Sequence, residues 1–256
     1  MCGVCGVFAI GATRGDALSA ITERMANRIG HRGPDDVGVW SDHASGIALG
    51  HRRLAIIDLS PAGHQPMHSH GKKYVIAFNG EIYNHMELRA EIEASGSPIS
   101  WRGHSDTETL LAAFELWGFV DTLNKLIGMF AIALWDTQER RLWLARDRFG
   151  EKPLYYGWVG GADDRAFVFG SELKALRAYS GFANRVSRPA LAEYMKFAYV
   201  PAPMSIYEGI FKLEPGCVLS VDGRPPSESP SSPLRPGTSL GPLSVTRWWS
   251  LSEVVT

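Results

Sequence analysis

Ile127-Gly128-Met129-Phe130-Ala131-Ile132-Ala133-Leu134-Trp135, a polar turn over Asp136–Arg140, then Arg141-Leu142-Trp143-Leu144-Ala145-Arg146-Asp147: apolar side chains recur with a period of two on both sides of the turn. Two such runs joined by a short polar turn predict antiparallel strands. Leu154–Val159 and Phe167–Phe169 continue the pattern, and no helix-period segment lies between them to carry a parallel crossover. Further strand-like runs fall at the N-terminus, at Val37–Trp40, Gly46–Ile57 and Tyr74–Phe78, and downstream at Cys217–Val221.

The remaining segments have helical spacing. Leu18, Ile21, Met25 and Ile29 recur at intervals of three and four, which predicts a helix ending near Gly30, where His31-Arg32-Gly33-Pro34-Asp35-Asp36 breaks it. Helices are also predicted over Glu87–Ala94, with Asn84 and Glu87 in capping-box spacing, and over Asp106–Trp117, with Ser105 and Glu108 in the same relation. Shorter ones fit Ser171–Tyr179 and Pro189–Phe197, ahead of Pro201-Ala202-Pro203. Amphipathic helices and half-buried strands both need partners, and two packed sheets with helices outside bury every apolar face.

Composition narrows the function. The 256 residues are 45% apolar, enough for one large domain, or a domain with a tail, that needs no staples. Three cysteines, two of them at positions 2 and 5, fit neither a disulfide framework nor a metal-ligand spacing, and a reducing compartment is expected. With a net charge of -1 and scattered basic residues, no nucleic-acid partner or anionic membrane surface is expected. The apolar opening is too short for a signal peptide or a membrane span, so a cytoplasmic protein is expected. No His-Glu-x-x-His, Walker or dinucleotide loop occurs, so neither a metal nor a nucleotide cofactor is expected in this sequence. Gly223–Pro242 holds six prolines and five serines and reads as a surface loop or linker, placed at 223–244. Trp248 and Trp249 then return to some surface, of this domain or of a further one.

Cys2 is the candidate nucleophile, although a terminal cysteine can also occur by chance and a buried one is inert. Removal of Met1 before this small residue leaves a thiol and an α-amine on one residue, and an α-amine titrating near 7.7 to 8.0 can relay protons while the thiolate attacks an acyl carbon. Asn79-Gly80 offers a side-chain amide and a backbone N–H that can point at one developing oxyanion; the same dipeptide is also a strong hairpin-turn signal. Arg53 lies in an apolar strand-like run, and its fork can hold a carboxylate bidentately. Glu81 and Asp106 can receive an ammonium, although Asp106 in the first turn of a helix is also favoured by the helix dipole alone. One arginine and two acids in one pocket match the two charged ends of an amino acid. Arg146-Asp147-Arg148 reads either as a surface ion-pair cluster or as a salt-bridged support beneath the pocket.

These residues fall in blocks: Met1-Cys2-Gly3 with Gly6; His31-Arg32-Gly33-Pro34-Asp35-Asp36; Arg53-Leu54-Ala55-Ile56-Ile57-Asp58; Asn79-Gly80-Glu81-Ile82-Tyr83-Asn84; Ser105-Asp106-Thr107-Glu108; Arg146 through Tyr156; and Phe169 through Leu176. Over residues 1–180, and more weakly to Gly216, the series resembles the class II glutamine amidotransferases, and among them the glutamine-hydrolysing asparagine synthetases. The resemblance implies an α+β fold, the N-terminal-nucleophile αββα four-layer sandwich with two mainly antiparallel sheets, in a glutaminase domain over 1–222 with its core in 1–180. It implies Cys2 as nucleophile, Asn79 and Gly80 as oxyanion donors, Arg53 on the glutamine α-carboxylate, and Asp106, aided by Glu81, on the α-ammonium. The partners it implies are glutamine and a C-terminal synthetase domain or subunit, with a homodimer admitted. No cofactor is implied for the glutaminase reaction, and ATP and Mg2+ only for the synthetase domain. That domain's Ser-Gly-Gly-x-Asp-Ser loop does not occur here, and residues 245–256 are expected to form the junction toward it.

Overall fold

The computed structural model of this chain describes residues 1–10, 15–96, 99–161 and 164–255. In chain order its elements are β1 (Gly3–Ala9), α1 (Gly15–Arg28), β2 (Asp36–Asp42), β3 (Ile47–Arg53), β4 (Met67–His68) and β5 (Tyr74–Ile82). Next come α2 (His85–Ala94), α3 (Asp106–Trp117), α4 (Phe119–Lys125), β6 (Gly128–Asp136), β7 (Arg141–Arg146), β8 (Tyr155–Val159) and β9 (Ala166–Gly170). The chain finishes with α5 (Leu173–Leu176), α6 (Arg188–Phe197), β10 (Ile210–Lys212), β11 (Cys217–Asp222), β12 (Thr238–Leu240), β13 (Leu243–Arg247) and α7 (Leu251–Val255).

One sheet runs β10-β8-β9-β1-β3-β2 and the other β12-β13-β11-β7-β6-β5-β4, all pairings antiparallel. The sheets pack face to face, because side chains alternate across a strand and each sheet turns one apolar set inward. Val4, Phe8 and Leu49 of the first meet Val75, Ala133, Trp135 and Leu144 of the second, with Phe8 edge-on to Trp135 at 5.4 Å. The opposite set of the first sheet, including Cys5, Val7 and Ala48, lies under Leu18, Met25 and Ile29 of α1 and Leu176 of α5. That of the second, including Ile76, Phe78 and Ile132, lies under Leu88 of α2, Leu110 and Phe114 of α3 and Leu123 of α4. Four layers, αββα, result.

Local chemistry places the element ends, with two departures from the sequence reading. Ser105 caps α3 as its spacing predicts, its Oγ accepting from Glu108 N at 3.2 Å. Asn84 does not cap α2. Its amide instead holds the entry to β6, donating to Lys125 O (3.0 Å) and accepting from Ile127 N (2.9 Å), and the helix starts at His85. The segment 223–244 is likewise not all loop: Thr238–Leu240 is the edge strand of the second sheet and Leu243–Arg247 the strand next to it, with Leu243 and Val245 in the inter-sheet core. A two-residue apolar alternation among Pro, Ser and Gly was too short to stand out as a strand. Trp248 and Trp249 return to this same domain, Trp248 stacked on Phe130 at 5.9 Å and Trp249 edge-on to Phe149 at 5.2 Å.

Candidate active site

Strand parity assembles the site. Even residues of β1, Val4 and Phe8, face between the sheets, and Cys2 continues that series one step before the strand. On β3 the inward series Ile47 and Leu49 runs on to His51 and Arg53; on β5, Val75 and Ala77 run on to Asn79 and Glu81. The inward faces are thus apolar along their length and polar at one end. There they border a cavity of about 270 Å³ lined by Cys2, Arg53, Asn79, Gly80, Glu81 and Asp106, all six candidates from the sequence, together with Gln65, Thr107, Met129 and Lys152.

Cys2 sits at the cavity wall. Leu54 N donates to its Sγ at 3.4 Å, and burial pushes the thiol pKa up against that hydrogen bond and the nearby terminal amine. Its carbonyl accepts from Arg32 Nε at 2.8 Å, and Arg32 in turn bonds Glu172 Oε1 at 2.9 Å. Although burial opposes ionisation of Glu172, hydrogen bonds from Arg32, Lys174 and His31 bring its carboxyl down to about 2. Met1 is amide-bonded to Cys2 in this chain and its half-exposed side chain lines the same cavity.

Asn79-Gly80 is not a turn. Both residues lie in the middle of β5, paired with Ala131 and Phe130 of β6. On the other edge of β5, β4 pairs only with Val75 and Ile76, and beyond it alternate N–H groups are taken by side chains. Phe78 N donates to Gln65 Oε1 (2.7 Å) and Ile82 N to Asp106 Oδ2 (3.0 Å). Gly80 N–H has the same parity between them, and Gly80 itself lines the cavity. Only glycine fits there, since a Cβ would sit 2.3 Å from Met129 O and 2.8 Å from Phe130 Cα. Asn79 is 1% exposed, and its Nδ2 has no hydrogen-bond partner. A buried donor left unpaired costs about 1–3 kcal/mol, and this one belongs to a residue that lines the cavity, where an acceptor would satisfy it.

The charged groups stand across the cavity. Arg53 is held by backbone carbonyls, Nη1 donating to Ser60 O at 3.0 Å and Nη2 to Asp58 O, with Gly63 so close that a Cβ there would meet the guanidinium. Hydrogen bonds from Ser60 first, then from His104 N–H, keep the Asp58 carboxyl at about 2 and so shape that loop. Two of the five Arg53 N–H bonds are used, which leaves others for a ligand. Asp106 is buried, and burial raises its pKa against the Ile82 hydrogen bond. Beneath the floor, Arg146-Asp147 is a support built from backbone hydrogen bonds, not ion pairs. Asp147 accepts from Phe130 N, Phe149 N, Glu151 N and Lys152 N, while Arg146 donates to the carbonyls of Lys152, Gly150 and Leu213. Sequence reasoning missed Gln65 and Lys152; neither stands in a spacing that signals a site.

The Cys2 thiol, the unpartnered Asn79 Nδ2 and the side chains of Arg53 and Asp106 thus border one cavity. Residues 1–229 match the family described as "Glutamine amidotransferase domain", and the chain belongs to that family. It is 39% identical over 222 residues to asparagine synthetase (glutamine-hydrolyzing) 1 of Bacillus subtilis, covering 86% of this chain and 33% of that protein. To asparagine synthetase (glutamine-hydrolyzing) 3 of the same organism it is 38% identical over 201 residues, covering 77% and 31%. The chain thus spans about a third of the length of these relatives. Among solved structures, glutamine phosphoribosylpyrophosphate amidotransferase from B. subtilis, complexed with ADP and GMP, aligns with a TM-score of 0.64 at 18% identity over 96% of this chain and 49% of that one, a likeness of fold. Among the described residues no helix is long and apolar enough to cross a membrane.

Proposed function

We propose that the chain hydrolyses the side-chain amide of glutamine through a Cys2 thioester and delivers the ammonia to a synthetase-type domain or subunit that makes asparagine. The observation carrying this reading is the convergence in one small cavity of the Cys2 thiol, the unpartnered Asn79 Nδ2 and the Arg53–Asp106 pair. Glutamine enters with its α-carboxylate on Arg53 and its α-ammonium on Asp106 and Glu81. The incoming cation offsets the burial that raises the Asp106 pKa.

With Met1 removed, the Cys2 α-amine takes the thiol proton and the thiolate attacks the side-chain carbonyl carbon. The resulting oxyanion is held by Asn79 Nδ2–H and Gly80 N–H, donors already in place before charge develops. Collapse breaks the C–N bond, and the departing nitrogen takes the proton from the α-amine as ammonia. Water, deprotonated by the same amine, attacks the thioester; the thiol leaves with a proton and glutamate is released. ATP and Mg2+ enter only in the acceptor reaction, on the synthetase part. The relatives' names support asparagine as the final product, and an amidotransferase serving a different acceptor is the second reading, because the chain matches only about a third of those proteins.

The test joins mass and activity. The purified protein should lack the mass of Met1 and release glutamate from glutamine, and Cys2→Ala should abolish release. Hydrolysis retained in Cys2→Ala would sink the mechanism.

A further inference from the structure

We infer that His51 is a positioning residue for this reaction: its hydrogen bond to the Phe78 carbonyl crosses the sandwich and fixes the Asn79 amide relative to the Cys2 strand. His51 lies on β3, directly opposite Val4 of β1, two residues after Cys2. Its Nε2 is 2.9 Å from Phe78 O, and that carbonyl belongs to the peptide unit whose nitrogen is Asn79 N. One hydrogen bond therefore ties the strand beside the nucleophile to the strand that bears the oxyanion donors.

The N–H of Phe78 is held as well. Gln65 Oε1 accepts from Phe78 N at 2.7 Å, and Gln65 Nε2 donates to Thr107 Oγ1 at 3.2 Å, beside Asp106. Phe78 is thus gripped at both its N–H and its C=O, and the second grip leads to the residue proposed for the substrate ammonium. The carbonyl is an acceptor only, so His51 carries its proton on Nε2 and leaves Nδ1 bare. Nδ1 is buried without a partner, and as a bare ring nitrogen it leaves no N–H unsatisfied there. Burial, first among the causes, lowers the imidazole pKa to about 4 and keeps the ring neutral; the Phe78 hydrogen bond and Asp36 oppose this, while Arg53 and His64 act in the same direction as burial. A ring fully buried, neutral and fixed in one tautomer is a rigid spacer, and misplacement of a catalytic donor by about 1 Å costs on the order of 100-fold in rate.

The inference rests on the glutaminase reading, so one readout is independent of it. In the unmutated protein, 15N NMR of the imidazoles should show one histidine as the Nε2–H tautomer with a bare Nδ1 and no titration above pH 5. Assignment with His51→Gln identifies that signal, and its absence, or titration near 6.5, overturns the inference whether or not the protein hydrolyses glutamine. Kinetically, His51→Leu should lower kcat by about 10- to 100-fold with KM within about threefold. His51→Gln, which presents an amide N–H at similar reach, should recover most of that loss. Equal kcat in the Leu variant and the native protein, or parallel loss of kcat, KM and melting temperature in both variants, refutes the positioning role.

Discussion

Replacing Asn79 by leucine should leave the protein as stable as before, or more so, while nearly abolishing glutamine hydrolysis. Asn79 is 1% exposed between the sheets, and its Nδ2 has no partner. Removing an unsatisfied buried donor returns about 1–3 kcal/mol. The branched leucine fills nearly the same volume, and imperfect fit takes back less than about 1.5 kcal/mol. The net effect lies between about −0.5 and +3 kcal/mol, so stability should be essentially kept or raised. Loss of one oxyanion donor should cost 10²–10³-fold in kcat, roughly 3–4 kcal/mol of transition-state stabilisation, with little change in KM because the Arg53–Asp106 clamp is untouched. Urea unfolding read by tryptophan fluorescence gives the stability, and coupled glutamate release gives kcat. A midpoint that falls together with activity would show Asn79 to be a structural residue and refute the reasoning, as would kcat within about fivefold of native.

Other perturbations follow from the same geometry. Gly80→Ala should destabilise the protein by more than about 2 kcal/mol in chemical denaturation, since the new Cβ meets backbone atoms of Met129 and Phe130 at 2.3 and 2.8 Å. Arg53→Lys should raise KM for glutamine at least about tenfold with a smaller effect on kcat in steady-state assays, because a point charge cannot reproduce a fork already anchored on Asp58 and Ser60. Acid should weaken the fold in two windows. The folded state refuses the His51 proton until about pH 4 whereas the unfolded state takes it near 6.5, so stability falls by roughly 3 kcal/mol between those values. Asp58 and Glu172, both held at about 2, contribute stability that is complete above the usual carboxylate range and disappears as pH drops from about 4 toward 2. Denaturant midpoints measured from pH 7 to 3 check the first window directly; a flat profile between 6.5 and 4 would contradict the buried neutral imidazole.

The sandwich was legible because its strands alternate. In β6 and β7 the two-residue period separates Trp135 and Leu144, which face the other sheet, from Ile132 and Ala145, which face the helices. The cap at Ser105 was legible because it depends on contacts three residues away. Asn84 misled because its partners, Lys125 and Ile127, are about forty residues distant in sequence, and no local spacing records them. The helix Phe119–Lys125 was missed because Gly118, at φ 83, separates it from α3 and its seven residues are too few for a periodic signal. In the site, the residues named from sequence are those whose chemistry is unusual for their setting, such as an arginine in an apolar strand. Gln65 was invisible for the converse reason: its amide acts by satisfying the Phe78 N–H, and a glutamine after a turn is ordinary anywhere.

The late return of the chain to the second sheet bears on how this protein can be dissected. The family match stops at residue 229, yet β13 covers the edge of β11 from Cys217 to Val221, and Trp248 roofs Phe130 beside the cavity floor. A fragment ending at 229 would leave the β13-facing edge of β11 with its backbone donors and acceptors bare, a template for strand-to-strand aggregation. Cleavage within 224–236, by contrast, should leave two pieces that stay associated through the β11–β13 ladder. An expressible core therefore ends after Trp249, where the last strand and its tryptophans have closed the edge.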